Sequence, residues 1–216
     1  MKITSIILAG GKNKRLGDVR SKALQTIGGK SLIERVAERV RPLTNQILVV
    51  TSREQFNFSV ACRAEILADL YPDKGPLGGI YTGLLASRSS HSLVVACDMP
   101  FLNTELLRYM VELSCGFDAV IPISGEGMVE PLHAIYSKNC LPSMKTQLER
   151  NELAVDSIFG TVSVKYVKQA ECQRLDPQLL SFFNINDRSD LDRAVAWATT
   201  SIGGLCSQVV ADLPGD

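Results

Sequence analysis

An apolar segment, Ile3 to Leu8, runs without interruption into Ala9-Gly10-Gly11 and then into a cluster of cations. Its length and β-branched content read as a buried parallel strand. Gly10-Gly11 permits backbone conformations that a Cβ would forbid, so main-chain N–H groups can turn toward a bound anion. Lys12, Lys14, Arg15 and Lys22 are four of the five cations within the eleven residues 12–22. Open α/β folds bind phosphates where a strand of a parallel sheet ends in such a loop. The alternative is a basic surface loop that binds nothing, because short glycine motifs arise often by chance. The stretch lacks G-x-x-x-x-G-K-[ST], so it is not a P-loop, and it lacks the G-x-G-x-x-G dinucleotide fingerprint.

The totals narrow the partners. At 216 residues the chain can bury a substantial core. Its 23 basic and 23 acidic residues cancel, which points away from nucleic acid and from a membrane surface. With positive charge concentrated in residues 12–22, a small anionic ligand is the better match. No apolar run reaches the roughly 18 residues needed to span a membrane. The sequence enters a strand within two residues of its start, so no cleavable signal is expected, and a cytoplasmic location follows. The six cysteines are scattered without a C-x-x-C pair, which reads as reduced thiols. With only His91 and His133, a zinc site is not expected.

Along the chain, strands and helices alternate. Ser31 and Glu34 form a capping-box pattern ahead of an amphipathic helix ending near Pro42. Strands are expected at Gln46 to Val50 and at Ala64 to Ala68, the second delivering Asp69 at its end. The glycine-rich run 75–79 opens a helix expected to reach about Ser87; such a start offers free N–H groups and lets a flat ring approach the backbone. Ser92 to Ala96 reads as a central strand ending in Cys97-Asp98-Met99-Pro100. Asp98 can hold a metal ion over the sheet or simply cap a turn. Helices are expected at Thr104 to Leu113, with Asn103 as cap, and at Leu141 to Arg150. Strands are expected at Asp118 to Ile123, after Glu130 through Tyr136, and at Val162 to Val167. An aromatic strand at Phe182-Phe183 leads to Asn184-Ile185-Asn186, where Asn186 can cap a final helix from about Ser189 to Trp197. This order predicts a three-layer α/β fold with a mostly parallel sheet. Residues 1–199 form its domain, and 200–216 read as a tail or an interface element.

Several motifs together resemble a known family. Leu8-Ala9-Gly10-Gly11, the triplet Arg15-Leu16-Gly17 and Lys22 before a hydrophobic residue look like the NTP-dependent nucleotidyltransferases, which have a Rossmann-like fold. The L-A-G-G form, the G-P-L-G-G of residues 75–79, the C-D-M-P of 97–100, E-P-L-H-A-I-Y at 130–136 and the Asn184-Ile185-Asn186 motif are most similar to the molybdenum cofactor guanylyltransferases. The resemblance covers roughly residues 3–197. It implies transfer of GMP from GTP to molybdenum-bound molybdopterin, with Mg²⁺ as cofactor and, as further partners, molybdoenzyme maturation proteins. It implies that Leu8, Ala9, Gly10, Gly11, Lys22, Asp69 and Asp98 bind the nucleotide, that Asp98 binds Mg²⁺, and that Lys22, Arg15 and Asp98 carry the chemistry. Asn184 and Asn186 would face the acceptor. It sets no role for Glu130, and His133 is left between a substrate-phosphate contact and a packed strand position. Two departures stand out. Ser52-Arg53 occupies the place where the family often has an asparagine after its second strand, and the linker from Arg15 to Lys22 is slightly long. Rival readings are a nucleotidyltransferase acting on a sugar phosphate or another phosphorylated acceptor, a non-catalytic nucleotide-binding regulatory subunit, and a simple phosphate-binding module. The sequence does not set the oligomeric state.

Overall fold

A computed structural model describes residues 3–10, 22–52 and 63–209. Seven strands build one sheet: β1 (Ile3–Leu8), β4 (Thr44–Thr51), β5 (Glu65–Ala68), β6 (His91–Ala96), β7 (Ala119–Pro122), β8 (His133–Ser137) and β9 (Val164–Val167), in the order β5-β4-β1-β6-β8-β7-β9. A small hairpin, β2 (Thr26–Ile27) and β3 (Lys30–Ser31), stands apart and turns at Gly28-Gly29. β1 is parallel to both β4 and β6, β4 to β5, and β7 to β9. Only β8 among them runs antiparallel to its neighbours, β6 and β7. Because β8 is reversed, its leading residues 130–132 lie at the same edge as the trailing residues of β1, β5 and β6.

Strand alternation sorts the core into two faces. Ile7, Val49, Val95 and Ile135 pack with Ile33, Val36 and Ala37 of α1 (Leu32–Val40), with Leu106 and Met110 of α3 (Thr104–Leu113), and with Cys172 of α5 (Gln169–Leu175). Ile6, Leu48, Val94 and Ala134 face the other way, against Leu77, Ile80 and Leu84 of α2 (Gly75–Ala86) and Met144 and Leu148 of α4 (Leu141–Arg150). The result is the expected three-layer architecture.

Local chemistry sets several boundaries. The Ser31 side chain accepts from Glu34 N–H, and Ser31 N–H donates to Glu34 Oε2 at 2.8 Å, closing the capping box of α1. Asn103 accepts from the N–H groups of Glu105 and Leu106 and starts α3 as expected. Gly83 brings α2 against β1: a Cβ there would stand 2.5 Å from Ile6 Cγ2. Ile6 is fully buried and has nowhere to retreat. Gly83→Ala should therefore lower stability by about 1–3 kcal/mol despite alanine's better helix propensity, a result read from chemical denaturation.

Two expectations need correction. Phe182-Phe183 is not a strand; Leu180–Phe182 form a 3₁₀ turn and the chain then runs extended. The rings alternate as strand side chains would, Phe182 against His133 and Phe183 against Trp197. The backbone, however, bonds to the Asp98 carbonyl through Ile185 N–H at 3.0 Å rather than to a neighbouring strand. The last helix, α6 (Arg188–Val209), continues well past Trp197, so position 199/200 falls inside it. Gly203-Gly204 costs about 1 kcal/mol of helix propensity per residue without ending the helix. Residues 210–216 lie outside the described residues.

Candidate active site

The carboxyl ends of β1, β4, β5 and β6 converge as the sequence predicts. Ala9 N–H donates to the Val50 carbonyl at 2.8 Å, Cys97 N–H to Leu8 at 3.0 Å and Asp69 N–H to Thr51 at 2.9 Å. These bonds carry the sheet ladder one step beyond the strands and fix the backbone that holds the site residues.

At the centre Lys22 Nζ meets Asp98 Oδ2 at 2.6 Å, with side chains 22% and 18% exposed. Lys22 opens a 3₁₀ turn, Lys22–Leu24, anchored by the fully buried Ala23. Asp98 leaves the end of β6, and its own carbonyl is held by Ile185 N–H. Asp98 Oδ1 is buried and has no hydrogen-bond partner among the described residues. The pair thus presents a cation and a partly unsatisfied carboxylate over the middle of the sheet. Next to it, burial pushes the Cys97 thiol up to about 12, helped by the Asp98 charge, so this sulfur is not a nucleophile at neutral pH.

On one flank stands Asp69. Its Oδ1 accepts from Tyr71 N–H at 2.9 Å and lies 2.9 Å from the Thr82 hydroxyl. Thr82 Oγ1 in turn accepts from Leu70 N–H at 3.1 Å. Burial raises the Asp69 carboxyl above its ordinary range, and these two hydrogen bonds work against that shift. The glycine at position 78 is required sterically: a Cβ would come within 2.8 Å of the Tyr71 carbonyl. The start of α2 can therefore pack directly on the Asp69–Tyr71 turn. Thr82 was not singled out from the sequence; a polar residue on an otherwise apolar helix is the signal that marks it.

Gly10 differs from Gly78. Among the described residues a Cβ there would meet protein atoms only at 3.6 Å and beyond, from Ser52 N onward, which is ordinary contact. None of the described residues demands glycine at this position.

The opposite flank is built by the reversed strand. Glu130 N–H donates to the Pro122 carbonyl at 3.0 Å, and Ala96 N–H donates to Leu132 at 3.1 Å. Burial raises the Glu130 carboxyl, opposed by a hydrogen bond from Ser124. His133 is fully buried and stacks edge-on to Phe182, with centroids 4.9 Å apart. It is a packed histidine. Asn184 Nδ2 donates to the Phe182 carbonyl at 3.0 Å. The cap of α6 is Asp187, which accepts from Asp190 N–H at 3.0 Å, and not Asn186. Asn186 is exposed, and its side chain has no partner among the described residues.

Leu8, Ala9, Gly10, Lys22, Asp69 and Asp98 therefore share one edge of the sheet, and the late asparagine segment is tied to it through Ile185. Gly11 and Arg15, with Lys12, Lys14 and Arg53, lie outside the described residues. Among the described residues no three His, Cys, Asp or Glu side chains gather as a metal cluster, and Cys97, Cys115, Cys140 and Cys172 are free thiols.

A three-layer α/β sheet with a strand-end glycine, a lysine and a lone aspartate over its carboxyl edge defines a nucleotide-handling protein of the nucleotidyltransferase class. The chain belongs to the MobA-like NTP transferase domain family, which matches residues 5–161. It is 35% identical over 204 residues to a "Probable molybdenum cofactor guanylyltransferase" of Pelotomaculum thermopropionicum, covering 94% of this chain and 97% of that one. It is 30% identical over 195 residues to a molybdenum cofactor guanylyltransferase of Desulfosudis oleivorans, covering 90% and 95%. The crystal structure of molybdopterin-guanine dinucleotide biosynthesis protein A from Archaeoglobus fulgidus superposes with a TM-score of 0.79 at 28% identity, covering 91% of this chain and 99% of that one. Among the described residues no helix is long and apolar enough to cross a membrane.

Proposed function

We propose that this chain transfers GMP from GTP to the terminal phosphate of molybdenum-bound molybdopterin and releases pyrophosphate. The observation that carries this reading is the Lys22–Asp98 pair at the end of β6, in a chain whose relatives bear that enzyme name over nearly their full length.

In the reaction an acceptor phosphate oxygen attacks the α-phosphorus of GTP. A new phosphorus–oxygen bond forms as the bond to the β-phosphate breaks. Two polyanions must meet, so the site has to neutralise charge on both. Lys22 supplies a fixed cation for the α-phosphate oxygens. Backbone N–H groups around Gly10, with Gly11 and Arg15 beyond it, take the triphosphate. The acceptor phosphate is largely ionised near pH 7, its second pKa being about 6, so no protein group needs to remove a proton. Asp69 and the start of α2 take the guanosine end.

Mg²⁺ is the cofactor this reading calls for, and Asp98 fits it. Its buried Oδ1 lacks a partner among the described residues, and Mg²⁺ in nucleotide sites commonly rests on one or two carboxylates together with the substrate's phosphates. When bound, it supplies charge neutralisation and orientation of the triphosphate.

The test is pyrophosphate release from GTP or CTP in parallel, with Mg²⁺ and molybdenum-bound molybdopterin. Release with GTP alone supports the reading. Silence with the pterin acceptor but turnover with a sugar phosphate overturns the acceptor and keeps the nucleotidyltransferase. Gly10→Ala gives a separate check on nucleotide choice. It should melt with the wild type, since the described residues leave room for the methyl group, yet raise the KM for GTP on the order of tenfold, the scale at which one extra methyl group in a snug pocket is rejected.

A further inference from the structure

Two half-buried carboxylates flank the Lys22–Asp98 pair, one on each side along the sheet edge. Asp69 follows β5, and Glu130 sits between the ends of β7 and β8. Among the described residues neither is ion-paired. Asp69 is held by short-range hydrogen bonds from Tyr71 and Thr82 instead. Burying a carboxylate without a cation is costly, and a fold retains one when something binds it.

The proposed product explains why there would be two. A dinucleotide carries a heterocycle at each end of one pyrophosphate. Guanine and a pterin ring present the same edge, a ring N–H beside an exocyclic amine. A carboxylate accepts both hydrogens in a bidentate pair, the strong form of such a contact. Asp69 lies on the β5 side with the glycine-rich start of α2. Glu130 lies on the opposite side of Asp98, beyond β8. Its backbone is bonded to the end of β7, two strand spacings from β6, or about 10 Å at the usual spacing. That separation is comparable to three fused rings carrying a methylene phosphate.

We propose that Glu130 is the specificity-determining residue for the acceptor, its carboxylate accepting from the ring N–H and exocyclic amine of a 2-amino-4-oxopyrimidine edge. The assignment rests on the acceptor reading above and adds to it the group that recognises the ring.

The experiment compares wild type with Glu130→Gln, varying acceptor and GTP separately. Glutamine keeps the shape but turns a donor toward the ring's donors. Glu130→Gln should raise the KM for the molybdopterin acceptor by about 10–100-fold, the scale of a hydrogen bond to a charged group, while the KM for GTP moves less than about twofold. A second readout needs no turnover: quenching of neopterin fluorescence by the wild type should weaken at least about tenfold in Glu130→Gln. An unchanged acceptor KM, or a matching rise in the GTP KM, overturns the role of Glu130 while the wild-type reaction stands. A wild type that is silent with the pterin acceptor and active with a sugar phosphate overturns the acceptor reading, and this assignment with it.

Discussion

Asp98→Ala and Lys22→Ala should each lower GTP turnover on the order of a thousandfold. Both side chains are only about one-fifth exposed, so removing one leaves the other's charge largely buried and unpaired and should lower the melting temperature as well. Turnover measured well below each variant's own melting temperature isolates their part in the reaction. Charge moves from the attacking phosphate through the α-phosphorus to pyrophosphate, and a cation and a metal-ready carboxylate fixed at that point cost no reorganisation when it does. Asp98→Asn should be nearly as damaging as Asp98→Ala, because the amide keeps the shape and loses the charge that holds a divalent cation. The double variant should fall little below the worse single one, since groups that act on the same phosphate act as a unit. Pyrophosphate release at saturating GTP and Mg²⁺ reads all four. Multiplying single effects, or an Asp98→Asn enzyme with wild-type turnover, would show that the pair is structural.

The same sheet edge explains why the placement of the candidate site was readable from the sequence and parts of the fold were not. Ser31 and Glu34, Asn103, and the run from Leu141 to Arg150 carry their own boundary signals, and α1, α3 and α4 follow them. Strand-end residues such as Gly10, Asp69 and Asp98 inherit their positions from the strands, so placing a strand places the residue. What depends on distant partners was hidden. Gln169–Leu175 buries only Cys172, so it leaves no apolar stripe to mark it as a helix. Phe182 and Phe183 have the alternation of a strand but bond to Asp98 and not to a sheet edge. The helix cap at Asp187 could not be told from one at Asn186 by residue type, since both side chains cap well. Glu130 was readable as part of a motif, but its position across β8 from Asp98 follows from the reversal of one strand.

His133 should make this protein sensitive to acid, and His133→Leu should remove that sensitivity. The imidazole is fully buried, neither ring nitrogen has a hydrogen-bond partner among the described residues, and burial lowers its pKa from 6.5 to about 3. The folded state thus refuses a proton that the unfolded chain accepts. Above pH 6.5 neither state is protonated and the histidine adds no pH dependence. As pH falls from about 6.5 toward 3, the unfolded state gains the proton first, and stability drops by about 1.4 kcal/mol per pH unit. At pH 4.5 the loss should be about 2–3 kcal/mol. Asp69 and Glu130 have carboxyls raised by burial, so they bind protons more readily when folded and work in the opposite sense. Comparing the two proteins isolates the histidine, because the carboxylates are common to both. At pH 7.5 the variant sheds two unsatisfied nitrogens, costing about 1–3 kcal/mol each, and loses an edge-on contact with Phe182, contributing about 1 kcal/mol. It should therefore be at least as stable as the wild type there, and its advantage should widen steadily on acidification. Urea unfolding of both proteins between pH 7.5 and 4.5 measures this directly. Parallel stability curves would mean that the imidazole finds a proton partner in the folded chain, and that its place against Phe182 is not the dry one described.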